Sequence, residues 1–158
     1  MTNQLYISVI GASEATARQY ALAEAAGRKI AEAKAILVCG GLSGFMEAAA
    51  KGAYEAGGLT VGILPFADRT GANPYLTVAL PTGLGHARNY LVAASGDGVL
   101  AVGGAAGTLS EIGLALKMGR PVVLLESLDM KAAGLKDELL YIAGDPGKAV
   151  GMLIKLLS

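Results

Sequence analysis

The chain has no tryptophan, two phenylalanines, one histidine and one cysteine among 158 residues. A lone cysteine, Cys39, excludes an internal disulfide. One histidine and one cysteine cannot assemble a metal centre of the usual His/Cys type, so no protein-ligated metal is expected. Charge is scarce as well: 16% of residues are charged, against roughly 25% in an ordinary soluble chain. Thirteen basic residues balance thirteen acidic ones, with no basic run or aromatic-basic patch. Neutralising a phosphate backbone needs several lysines and arginines on one face, so nucleic acid is not an expected partner. No run of about 18 uninterrupted apolar residues exists to span a membrane. The opening MTNQLYISVIG lacks a basic flank, and its apolar run is too short for a signal peptide. The expected location is the cytoplasm.

What is present is apolar surface, at 53% of residues. So few charges leave little to cover a monomer, so a homo-oligomer, dimer or tetramer, is expected. Short β-branched runs alternate with alanine-rich helical stretches. Strands are expected at Leu5–Ile10, Ala35–Cys39, Leu59–Leu64, Leu76–Leu80, Gly98–Val102 and Pro121–Leu125. Helices are expected at Glu14–Lys34, Gly44–Ala56, Gly85–Ser95, Thr108–Met118 and Pro146–Leu157. The strands read as continuous apolar runs, the pattern of a parallel sheet with helices on both faces. The fold class is therefore α/β, a Rossmann-like doubly wound parallel sheet, with residues 1–158 as a single domain. Nothing resembling a linker divides it. The turn-rich segment Pro65–Pro74 is a candidate lid, and Met130–Glu138 reads as a charged surface connection.

In such sheets ligands bind beyond the carboxyl ends of the strands, where helix N-termini direct free N–H groups. Here that rim is rich in glycine. The first strand ends at Gly11-Ala-Ser13, the second at Gly40-Gly41-Leu-Ser43-Gly44, and the fifth at Gly103-Gly104-Ala105-Ala106-Gly107-Thr108. Three such loops on one rim point to a site for a phosphorylated small molecule. The familiar nucleotide motifs do not fit them. Gly11-Ala-Ser-Glu-Ala-Thr16 is no dinucleotide fingerprint, no Gly-Lys-Ser/Thr occurs, and Gly41-Leu-Ser43-Gly44-Phe45 lacks the last glycine of a nucleophile elbow.

Arg88 falls in the first turn of an apolar helix, where a cation opposes the helix dipole unless an anion is bound. The alternative is a structural salt bridge. Glu111 lies three residues after Thr108, which is a capping-box pattern, and the same position would suit a catalytic or ligand-contacting carboxylate. Asn89 either donates to a phosphate or bonds its own turn. Ser13, Ser43 and Thr108 are phosphate donors or helix caps. His86 reads as packed or solvated, with ligand contact as its alternative; Cys39, at the end of a buried strand, reads as a small hydrophobe. Asp68 and Arg69 read as solvated, with closure over ligand as their functional alternative.

Gly40-Gly-Leu-Ser-Gly-Phe-Met46, Gly85-His-Ala-Arg-Asn89 and Gly103-Gly-Ala-Ala-Gly-Thr-Leu-Ser-Glu111 together resemble the LOG, or "lysine decarboxylase-like", Rossmann superfamily, from about Leu5 to Leu125. Its enzymes carry Met-His-x-Arg-Lys and Pro-Gly-Gly-x-Gly-Thr-x-x-Glu segments and cleave nucleoside 5′-monophosphates to base and ribose 5-phosphate. By that resemblance Arg88 and Glu111 match the catalytic pair, and Gly104, Gly107 and Thr108 the phosphate loop. Four positions depart: Gly85 stands for Met, Asn89 for Lys, Gly103 for Pro and Ala105 for the second Gly. The departures look more like the subgroup containing molybdenum cofactor carrier proteins, homo-oligomers that bind the phosphorylated pterin without turning it over. The resemblance thus implies a carrier for the molybdenum cofactor or a nucleotide-like ligand, with a phosphoribohydrolase as the alternative.

Overall fold

The computed structural model describes residues 3–130 and 132–158. Its chain alternates β1 (Tyr6–Ile10), α1 (Ala17–Glu32), β2 (Ile36–Cys39), α2 (Phe45–Glu55), β3 (Thr60–Leu64) and β4 (Val78–Pro81). It continues through α3 (Arg88–Ser95), β5 (Gly98–Val102), α4 (Ala106–Lys117), β6 (Val122–Leu125), β7 (Leu140–Ala143) and α5 (Pro146–Leu157). The strands form one sheet in the order β4-β3-β2-β1-β5-β6-β7, and every neighbouring pair is parallel. This is the expected doubly wound α/β fold.

Helices α1, α2 and α5 pack over one face and α3 and α4 over the other. Period-two alternation divides the central strands between two cores. Ile7, Val9, Leu37, Leu100 and Val123 enter the first, while Ile10, Val38, Val99, Ala101 and Val122 enter the second. Because both faces are covered, β5 is buried at every residue, which is why its sequence shows no alternation. The edge strand β4 is half exposed along its length and can carry Pro81, whose missing N–H would be costly in a central strand.

Helices α1 and α2 meet backbone to backbone. A β-carbon on Gly27 would lie 1.9 Å from the Ala49 carbonyl oxygen, and one on Gly52 would lie 1.8 Å from that of Glu24. Glycine at both positions is a steric requirement of this crossing.

Several elements differ from the sequence expectation, among them α3, which starts at Arg88 after a 3-10 turn at Gly85–Ala87. Strand β7 was not anticipated, although Leu140–Ala143 is an apolar run stopped by Gly144 and by Asp145, whose side chain caps α5. Strand β4 starts at Val78, because Leu76 turns inward against Gly41 and Gly62. Helix α1 begins at Ala17, since Thr16 and Gln19 form a reciprocal capping box. Helix α4 begins at Ala106, two residues before Thr108.

The segment Pro65–Pro74 is tied down on several sides. Gly83 and Gly85 donate to the Phe66 and Pro65 carbonyls, Asn73 donates to Gly41 and Leu42, and the Arg69 Nε donates to Ala79. In Met130–Glu138, Lys131 lies outside the described residues; Met130 is buried in the α3/α4-side core, unlike a plain surface connection.

Candidate functional site

The chain winds outward from β1 through β2, β3 and β4, then returns across the sheet to β5 on β1's other side. Beyond the carboxyl ends of β1 and β5 the loops diverge and leave a crevice, the usual ligand position in an open α/β sheet. A cleft of about 260 Å³ lies there. Of the sequence-predicted residues, Gly11, Ser13, Gly40, Arg88, Asn89, Ala105, Gly107, Thr108 and Glu111 line it. Gly41, Ser43, Gly44, Gly103, Gly104 and Ala106 do not, nor do Asp68, Arg69 or any residue of Pro65–Pro74.

The glycines outside the cleft have packing reasons instead. Gly103 has φ +64°, and a β-carbon there would sit 2.3 Å from the tip of the Phe45 ring. Gly44 crowds the Ser13 carbonyl group, and the Ser43 hydroxyl donates to the Ser13 carbonyl oxygen at 3.0 Å, clipping the first two loops together. These residues shape the rim without facing its interior.

Two polar walls come from α3 and α4. Arg88 opens α3 after a short 3-10 turn at Gly85–Ala87 and is 8% exposed. Its Nη1 donates to the Asn89 Oδ1, and Nη2 reaches the Gly40 carbonyl oxygen at 3.5 Å. The buried Nε has no partner. Among the described residues no carboxylate lies within 4.0 Å of Arg88, so the salt-bridge reading of this arginine is not what the structure holds. Burial pulls the guanidinium below its ordinary pKa, against the pull of Glu111.

Helix α4 starts on Ala105 with no side-chain cap. Thr108 is its third residue, and the threonine hydroxyl is buried without a partner. Glu111, one turn further in, is 7% exposed. The capping-box reading of Thr108 and Glu111 is therefore overturned: the helix begins too early for either to cap it. Ser13 and Ser43 cap nothing either, since Thr16 and Gly44 hold the cap positions of α1 and α2. Burial raises the Glu111 carboxyl from 4.5 to about 7, with Arg88 opposing the rise. At neutral pH this carboxyl is thus poised between donor and acceptor.

The remaining wall was not singled out from the sequence. Ala12 and Leu42, each directly after a loop glycine, and Met46, two residues after Gly44, line it. Proximity to those glycines was the available signal, but apolar residues in an apolar chain do not announce a ligand. His86 is exposed at the cleft rim. Cys39 is fully buried beneath it, and desolvation pushes the thiol up to about 11. The cleft combines donors from Arg88, Asn89, Thr108 and the free N–H groups of α4 with the aliphatic side chains of Ala12, Leu42 and Met46. It can hold an oxyanion attached to a larger organic body.

The family model for the SLOG cluster4 family matches residues 4–150. The chain is similar to the molybdenum cofactor binding protein from the phototrophic bacterium Rippkaea orientalis, at 36% identity, TM-score 0.93 and full coverage of both chains. It is also similar to the molybdenum cofactor carrier protein of Chlamydomonas reinhardtii, at 34% identity and TM-score 0.88 over 98% of each chain. An uncharacterized protein of Archaeoglobus fulgidus is 44% identical over 122 residues, 77% of this chain and 80% of that protein.

Proposed function

The chain belongs to the SLOG cluster4 family, and on that premise we propose that it is a cytoplasmic, homo-oligomeric carrier for a phosphorylated pterin, the molybdenum cofactor. The observation that carries this reading is the uncapped N-terminus of α4 beside a buried arginine with no carboxylate partner. Positive dipole, free N–H groups and a full charge converge on one anion-sized space. The unpartnered Arg88 Nε and Thr108 hydroxyl fit that reading, because two orphaned buried donors are costly in a site kept for packing alone. The ligand phosphate rests on the N–H groups of Gly107 and Thr108 with Arg88 and Asn89, and its ring system lies toward Ala12, Leu42 and Met46. The structural relatives of R. orientalis and C. reinhardtii support the pterin as the organic part.

Oligomer formation is supported by apolar side chains exposed on the thinner, two-helix side. Tyr90 and Leu109 project there from α3 and α4, with Val78 and Leu80 on uncovered β4. Titration with the molybdenum cofactor, molybdate and nucleoside monophosphates tests the carrier. Affinity for the cofactor near micromolar is expected, and no binding by any of the three ends the proposal.

A phosphoribohydrolase remains the second reading, favoured by Glu111, which is buried in the cleft and is not a cap. A carboxyl there could stabilise an oxocarbenium-like centre during N-glycosidic cleavage. Ribose 5-phosphate release from nucleoside 5′-monophosphates, lost in Glu111→Ala, would establish it.

A further inference from the structure

Asn89 occupies a position that Arg88 alone does not explain. Both residues are 8% exposed, and they are adjacent in the first turn of α3. The contact between them is from the Arg88 Nη1 to the Asn89 Oδ1. A guanidinium has donors only, so the amide must present its oxygen to Arg88, and this assigns the amide's orientation. The Nδ2 group is then necessarily on the other side. It faces α4, 3.7 Å from where a side chain on Gly107 would begin, and it donates to no protein group among the described residues. Gly107 is the second residue of α4, so the amide nitrogen sits beside that helix's own free N–H groups.

We propose that Asn89 is the selectivity residue of the cleft. Its Oδ1 locks the Arg88 guanidinium while its Nδ2 donates to the same oxyanion held at the N-terminus of α4. This rests on the anion-carrier reading and specifies its ligand chemistry. The cleft then offers donors from three directions, Arg88, Asn89 and the backbone of Gly107 and Thr108, with one formal positive charge among them. Such an arrangement selects a tetrahedral oxyanion whose oxygens all accept, and it does so by donor geometry more than by charge. A planar carboxylate cannot meet three divergent donor directions at once and is discriminated against.

The isosteric change Asn89→Asp separates the two ends of the amide. An aspartate keeps an oxygen for Arg88 and strengthens that contact, but it turns the free donor into an acceptor facing the anion. With inorganic phosphate as the probe, calorimetric titration of the wild-type protein is expected to show binding. Asn89→Asp is expected to weaken it about tenfold or more, with an unchanged or higher unfolding midpoint in the absence of phosphate. A residue that only positions Arg88 would weaken phosphate and acetate alike, because the added carboxylate repels both anions, so a phosphate-to-acetate affinity ratio within about twofold of wild type, with both titrated as monoanions at about pH 6, overturns the proposal. Should Asn89→Asp fail to fold, Asn89→Ala is titrated against the same limits. Acetate as a second probe is expected to bind more weakly than phosphate to the wild type, and equal affinity also overturns the assignment. Absence of phosphate binding by the folded wild type would instead remove the carrier reading beneath it.

Discussion

Replacing Glu111 with glutamine should make stability less dependent on pH, by an amount that follows from where the carboxyl sits. Burial lifts it from 4.5 to about 7. Below pH 4.5 the group is protonated in both folded and unfolded chains and contributes nothing to the difference. As pH rises from 4.5 to 7, the unfolded chain releases the proton and the folded protein keeps it, so stability falls with rising pH. Above 7 both forms are ionised and the full cost of the buried carboxylate persists. At about 1.4 kcal/mol per pH unit, the loss amounts to about 3 kcal/mol. For a chain of this length that corresponds to roughly 6–12 °C in the midpoint of thermal unfolding. Glutamine has the same shape and no proton to lose. Urea unfolding of both proteins at intervals from roughly pH 4 to pH 9 should show the variant gaining on the wild type between pH 5 and 7, then running parallel to it. A difference that stays flat across that window would mean the carboxyl is not desolvated as the cleft geometry implies.

Four further outcomes can be measured directly. Arg88→Ala should weaken phosphate binding by about tenfold or more in calorimetric titration. Gly52→Ala drives a methyl to 1.8 Å from a backbone oxygen and should cost more than about 3 kcal/mol in chemical denaturation. Gly113→Ala, on the open side of α4 with nothing within 4 Å, should gain about 0.5–1 kcal/mol in the same assay. Cys39, fully buried and with its thiol held near 11, should react with a thiol-specific reagent only in denaturant; fast labelling of the native protein would contradict its placement.

Much of this architecture could be read from residue order. The continuous apolar strands implied helices on both sheet faces, and the glycine loops implied a rim at the carboxyl ends. What could not be read was which way each loop residue faces. Gly103 and Gly107 look equivalent in the chain, but one packs against Phe45 while the other opens onto the cleft. Thr108 and Glu111 matched a capping box perfectly at the level of spacing. The true start of α4 at Ala106 depends on the backbone path leaving β5, through Gly103 and Gly104 at positive φ, which no local pattern records. Strand β7 was legible in principle from Leu140–Ala143 and its Asp145-Pro146 stop. Its apolar run is short, and only its pairing with β6 makes it a strand. Met46 entered the reading as part of a motif, with nothing to distinguish it from core.

The glycine crossing of α1 and α2 has a mechanical consequence for the cleft. Helices whose backbones touch cannot slide past each other without separating, so the pair behaves as one block. Phe45 and Met46 begin α2, so Met46 is the part of the cleft lining that this block carries. Arg88 and Asn89 ride instead on α3, a helix of eight residues, and Glu111 on α4. The stiffened block and the arginine meet at Gly40, where an added β-carbon would lie 2.6 Å from the Met46 sulfur and 2.7 Å from the Arg88 Nη2, so a side chain there would press on both at once.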